Sequence, residues 1–155
     1  MQDFDIVIEK ASIADLEEIL SLQKLAFKAV SEIYKYCKIP PTTQTLESLK
    51  EEFKRKLFLK AVHDGKIVGS IRGLNGRDAC YPERLMVHPD YRNQGIGTKL
   101  LDSIEEYFSD AKRYEIIVMS KSEENIRLYE KLGYKIFKTK RIAGDLDFVY
   151  MEKYR

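Results

Sequence analysis

Cys37 and Cys80 are the only cysteines, and His63 and His88 the only histidines, in the 155 residues. With no Cys-x-x-Cys pair and no cluster of histidines with carboxylates, neither a metal site nor a disulfide framework is expected. Both thiols are read as reduced. Cys80 is taken as a small packed thiol, with a catalytic thiol as the alternative. No apolar run approaches the ~20 residues that a membrane-crossing helix needs. The N-terminus, with Asp3 and Asp5, lacks the basic and apolar regions of a secretory leader. These absences predict a cytoplasmic protein with no membrane partner. Strong charge of one sign is missing too: charged residues make up 34% of the chain, yet the net charge is +2. That balance argues against a nucleic-acid-binding stripe, and the basic runs Lys54-Arg55-Lys56 and Lys135 to Arg141 read as a solvated helix face and an exposed hairpin. The length suits one domain, residues 1–155.

The chain carries alternating strand and helix signals. Asp5 to Glu9 reads as an edge strand. Ser12 to Asp15 resembles a capping box, and Leu16, Ile19, Leu20, Gln23, Ala26, Phe27 and Val30 follow at helical spacing. This first helix is expected to run to Tyr34–Lys38 and to be ended by Pro40-Pro41. Thr45 caps a second helix with Leu46, Leu49 and Phe53 on its face. Leu57 to His63 and Ile67 to Leu74 form a hairpin about Asp64-Gly65. Cys80 to Val87 is the next strand, Gly95 to Phe108 a helix, and Glu115 to Met119 a strand that pairs in parallel with Cys80–Val87 across that helix. Ser120 or Ser122 caps a helix with Ile126, Tyr129 and Leu132 inward and Gly133 at its C-terminal end. Tyr134 to Lys140 and Leu146 to Met151 close the chain as an antiparallel pair.

The chemistry concentrates in Leu85 to Leu101. An apolar strand turns at His88-Pro89-Asp90, passes Arg92-Asn93-Gln94-Gly95-Ile96-Gly97, and continues as an amphipathic helix. A strand that feeds a helix through glycines points backbone N–H groups and the positive end of the helix dipole at one spot, where a phosphate can sit. Arg92 and Lys99 add charge. The run has neither the Gly-Lys-Ser/Thr of a P-loop nor the third glycine of a dinucleotide turn.

Val87-x-Pro89-x-x-Arg92-x-x-Gly95-x-Gly97 resembles motif A of the GNAT superfamily of acyl-CoA-dependent N-acetyltransferases, and Leu128-Tyr129-Glu130-Lys131-Leu132-Gly133-Tyr134 downstream resembles its motif B. The resemblance implies an α/β fold: a mixed, mostly antiparallel sheet with a splayed parallel pair at its centre, flanked by four helices. It implies acetyl-CoA as cofactor. Its pyrophosphate would lie on Arg92, Asn93, Gln94, Gly95, Ile96, Gly97 and Thr98, and its pantetheine arm along Leu85, Met86 and Val87. Where the family commonly has an asparagine on that arm this chain has Ser122, and Asn125 stands where a small residue is usual; either is a candidate for the contact.

Transfer to an amine also needs a base, because an alkylammonium with a pKa near ~10 does not attack. Glu83, two residues before Leu85 and read on the same strand face as Leu85 and Val87, is the candidate, with Tyr81 as the alternative. Read without the family, Glu83 is a surface carboxylate paired with Arg84 or Arg72. Tyr129 by periodicity is a core aromatic, and by resemblance the acid that meets the departing thiolate. The acceptor, a small or peptide amine, is expected between Ile33–Thr45 and Arg141–Phe148, where Tyr34, Tyr36, Asp145 or Asp147 would attract a cation. A homodimer through the last strands fits the pattern. A non-catalytic acyl-CoA-binding module and a nucleotide-phosphate-binding domain are the readings from other classes.

Overall fold

The computed structural model describes residues 5–34 and 38–155; the expectations placed on Tyr36 and Cys37 lie outside them. Seven strands form one sheet: β1 (Val7–Lys10), β2 (Leu57–His63), β3 (Lys66–Asn75), β4 (Cys80–Val87), β5 (Arg113–Met119), β6 (Lys135–Ala143) and β7 (Leu146–Tyr154), in the spatial order β1-β2-β3-β4-β5-β7-β6. All neighbours are antiparallel except β4 and β5.

Helices α1 (Leu16–Ala26), α2 (Lys28–Ile33), α3 (Pro40–Thr43), α4 (Leu46–Phe53), α5 (Ile96–Tyr107) and α6 (Glu123–Lys131) cover the faces. The long first helix expected from periodicity breaks at Phe27, and α2 ends at Ile33, short of the expected limit. Pro40 and Pro41 start a helical turn, because a proline in the first turn forfeits no intrahelical hydrogen bond. Ser12 and Asp15 form the capping box, but over a 3₁₀ turn that precedes α1. No helix among the described residues is long and apolar enough to cross a membrane.

Two apolar layers sandwich the sheet. On one side Ile96, Leu100 and Ile104 of α5 and Tyr129 of α6 pack on Leu59, Ile71, Leu85, Ile116 and Met151. On the other, Leu16, Ile19 and Leu22 of α1 and Leu49 of α4 pack on Phe58, Ile67 and Met86. Strand β6 is the sheet edge and is exposed along its length.

A bulge in β4 decides where the site forms. Glu83 faces Arg72 and Met86 faces Ser70, so Ile71 alone opposes both Arg84 and Leu85, and Arg84 takes φ +53°. The extra residue resets the alternation of side chains. Leu85 therefore joins the α5 side, whereas Glu83, directly opposite the buried Arg72, points to the α1 side. This corrects the expectation that Glu83 shares a face with Leu85 and Val87. Pairing of β4 with β5 is confined to Cys80↔Tyr114, after which the strands part.

Candidate functional site

Beyond the parting of β4 and β5 lie two cavities. The larger, about 850 Å³, runs from α1 and α2 past Leu85, Met86 and Val87 to the start of α5 and along α6. Gly95, at φ +78°, precedes α5 and supplies no side-chain cap, so the first-turn N–H groups are left for an outside acceptor. A Cβ at Gly95 would meet nothing within 4 Å, so the conformation alone calls for glycine there. Gly97 has a different use: a Cβ there would meet Leu128 Cδ2 at 3.0 Å, so the glycine lets α5 lie close against α6.

Of the residues expected to hold a cofactor, Leu85, Met86, Val87, Arg92, Asn93, Gly95, Gly97, Thr98, Ser122 and Asn125 line this cleft. Gln94 and Ile96 do not; the Ile96 side chain is buried in the core, which leaves its main chain as the part that can face a ligand. Arg92 bridges two walls, donating to the Ala26 carbonyl at 3.3 Å and lying 3.6 Å from Glu124. Lys121, Arg127 and Lys131 also line the cleft, a set of cations not anticipated from the sequence because they belong to α6 and its approach. Ser122 is 4% exposed, and its hydroxyl is buried with no hydrogen-bond partner among the described residues. A buried orphan hydroxyl is costly, so its position in the cleft wall fits a ligand with polar atoms of its own.

The second cavity, about 320 Å³, opens on the far side of the same junction, and Phe27, Leu85, Ser122 and Asn125 line both. Tyr129 forms its floor. It is 3% exposed, and burial alone, with no charge or hydrogen bond contributing, pushes its hydroxyl above the ordinary phenol range. Glu83, Tyr81, Pro40, Pro41 and Phe148 also line this cavity.

Glu83 is not free. Its carboxylate accepts from Lys56 and lies 3.9 Å from Arg72, not paired with Arg84 as the sequence had suggested as one option. Arg72 is 1% exposed and anchors the network under the cavity, bonding Gln23 at 2.9 Å and Gln44 at 3.0 Å, with Glu52 2.9 Å away. Burial brings Arg72 down to about 10, opposed by the charge of Glu52. Burial works upward on Glu52, but Arg72, Gln44 and Lys56 outweigh it and hold its carboxyl below the usual range.

The groups expected to attract a cationic acceptor are occupied. Lys121 donates its backbone N–H to the Tyr34 hydroxyl at 3.1 Å and places its ammonium 4.9 Å over that ring. Asp145 lies 3.4 Å from the same lysine, and Asp147 accepts from Arg141. None of the three lines the smaller cavity. Cys80 is fully buried, and burial, with the charge of Glu105, pushes its thiol up to about 12, which makes it an inert packing residue.

A family model described as an acetyltransferase (GNAT) domain matches residues 28–155. The Bacillus subtilis UPF0157 protein YqkA is 28% identical over 141 residues, 89% of this chain and 39% of that protein. An acetyltransferase of Sodalis glossinidius is 38% identical over 84 residues, 52% of this chain and 58% of that protein. The chain thus spans less than two thirds of either relative. Among solved structures, the fold matches paiA N-acetyltransferase from Thermoplasma acidophilum in complex with coenzyme A, with a TM-score of 0.82 at 24% identity over 97% of this chain and 99% of that one. It also matches the Escherichia coli ribosomal-protein-S18-alanine N-acetyltransferase, with a TM-score of 0.78 at 18% identity over 96% and 93%. Because the family match covers residues 28–155, from α2 through the glycine loop to the last strand, the chain belongs to the GNAT acetyltransferase family.

Proposed function

We propose that this chain transfers an acetyl group from acetyl-CoA to a primary amine by direct attack in a ternary complex. The observation that carries this reading is the meeting of two cavities at Phe27, Leu85, Ser122 and Asn125, one walled by open N–H groups and cations and the other smaller, with the buried Tyr129 in its lining. Acetyl-CoA supplies the thioester. The first-turn N–H groups of α5, with Arg92, take the pyrophosphate, and Lys121, Arg127 and Lys131 add charge along the wall. The Leu85–Val87 edge left unpaired by β5 receives the pantetheine arm as an added strand. Ser122 or Asn125 supplies a polar contact at the turn of the arm.

At the junction the Val87 N–H faces the position where charge develops on the acetyl oxygen. The Tyr129 hydroxyl donates to the sulfur as it departs. Its raised pKa exceeds the ~8.5 of a thiol, so a hydrogen bond that strengthens with the developing charge is its contribution, and complete proton transfer is uphill. Glu83, with Tyr81 beside it, faces the amine and takes its proton through water. A Glu83→Gln variant is expected to keep cofactor binding and to lower kcat by ~10²-fold.

The test is a melting curve with acetyl-CoA, followed by thiol release across a panel of primary amines. A ligand at a hundredfold excess over its dissociation constant stabilises by about 2.7 kcal/mol, so acetyl-CoA is expected to raise the melting temperature and at least one amine to release thiol. Stabilisation without release from any amine would point to a non-catalytic acyl-CoA-binding module. No stabilisation would overturn the cofactor assignment.

A further inference from the structure

Inside the smaller cavity one charged group is left over. Of the ionised side chains that line it, Glu83 is held by Lys56 and Arg72, and Glu115 accepts from Arg113 at 2.6 Å. Arg84 makes no ion pair or hydrogen bond with any described residue, and its Nε is buried without a partner. A guanidinium does not shed its charge at any ordinary pH and presents a fork of donors matched to a carboxylate. Its placement is costly as well: Arg84 is the bulged residue of β4, at φ +53°, where asparagine or glycine fits more easily. Bulges beside sites re-aim a side chain, and this one turns Arg84 into the cavity. The ring of Tyr34 and the carboxylates of Asp145 and Asp147 are absent from that wall.

The geometry points to an acceptor that is an amine carrying its own carboxylate, a free amino acid, with Arg84 binding the carboxylate in bidentate fashion while the amine faces the junction at Tyr129. This rests on the acetyl-transfer reading and narrows its acceptor class. A polyamine brings no anion, and the carboxylate of a peptide lies far from its N-terminal amine. At about 320 Å³ the cavity lies at the low end of small-molecule sites. Shape therefore favours one small zwitterion over a folded partner.

The experiment compares amino acids with their decarboxylation products: tyrosine with tyramine, phenylalanine with phenethylamine, histidine with histamine, lysine with cadaverine, ornithine with putrescine. The wild-type chain is expected to favour the carboxylate member of at least one pair by roughly 100-fold in kcat/KM, as losing a charged hydrogen-bond partner costs a buried site. Arg84→Asn, which tolerates the left-handed backbone and so preserves the bulge, is expected to bring that ratio to near one, and Arg84→Lys to an intermediate value. A wild-type preference for the decarboxylated amines in every pair, or a ratio unchanged in Arg84→Asn, overturns the inference.

The same pairs are scored by melting temperature in the presence of CoA, so that failure of turnover is told apart from failure of carboxylate recognition. With thiol release absent from every amine, a melting shift given by an amino acid to the wild type but not to Arg84→Asn still supports the carboxylate site. No such shift from any amino acid overturns it.

Discussion

The two cavities are built by opposite means. The larger cleft is a property of the backbone: a left-handed glycine, an uncapped helix start and a strand edge that β5 leaves unpaired, all within Leu85–Thr98. The smaller is made by Phe27 at the break after α1 and by side chains from α3, β4, β5, α6 and β7, and rests on a buried polar network reaching from Gln23 to Glu83. A backbone device gives a family its shared ligand, whereas a side-chain device can be re-cut for each acceptor.

If that division holds, the largest effect comes from breaking the network. Arg72→Met leaves Glu52 without its buried partner and is expected to cost ~3–5 kcal/mol in urea unfolding. Its melting increment with acetyl-CoA should persist, because none of the side chains that Arg72 bonds or pairs with, Gln23, Gln44, Glu52 and Glu83, lines the cofactor cleft. Loss of that increment would show that the two cavities are not separable.

On the backbone side, Gly95→Ala forces a Cβ into the left-handed region, at ~1–2 kcal/mol. Acetyl-CoA affinity should fall about tenfold, the same energy read as binding, while Gly95→Asn retains most of it. Equal losses for alanine and asparagine would mean that space, not conformation, is what the position needs.

Ser122→Ala tests the shared wall. Its hydroxyl has no partner among the described residues, so the folded chain should be no less stable, while acetyl-CoA binding weakens by ~0.5–1.5 kcal/mol, measured by calorimetry. A stability loss with unchanged affinity would make Ser122 structural.

The smallest effect concerns Cys80, where β4 last touches β5. Its folded thiol sits near 12 against an unfolded value near 9.0, so the folded state holds a proton that the unfolded state gives up. The resulting stability is complete below pH 9 and is lost as pH rises towards 12. Between pH 8 and 10 the wild type should lose about 1 kcal/mol more than Cys80→Ala.

How much of this was legible in the sequence follows the same division. Strands Leu57–His63 and Cys80–Val87 and the Thr45 cap follow from alternation and turn chemistry, which act over a few residues. The glycine loop was readable because backbone sites are encoded contiguously. The break at Phe27 was not, since apolar spacing continues through it and its place in the second core layer with Ile39 and Met86, where it lines both cavities, is set by the fold. The β4 bulge hid as well: no glycine marks it, and it reverses the face on which Glu83 lies. Arg84 entered the reading only as a partner for Glu83, because being left unpaired depends on where Lys56, Arg72 and Arg113 fall in space.

The central claim is that both cavities deliver their ligands to Tyr129. It is tested most directly by measuring kcat and the acetyl-CoA dissociation constant of Tyr129→Phe beside the wild type. In Tyr129→Phe, kcat is expected to fall by roughly 10²-fold, the scale of one lost proton donor, with acetyl-CoA affinity unchanged within about twofold and no loss of folding stability, since the removed hydroxyl has no partner among the described residues. A variant that turns over at the wild-type rate, or whose slower rate is matched by an equal loss of acetyl-CoA binding, would contradict it.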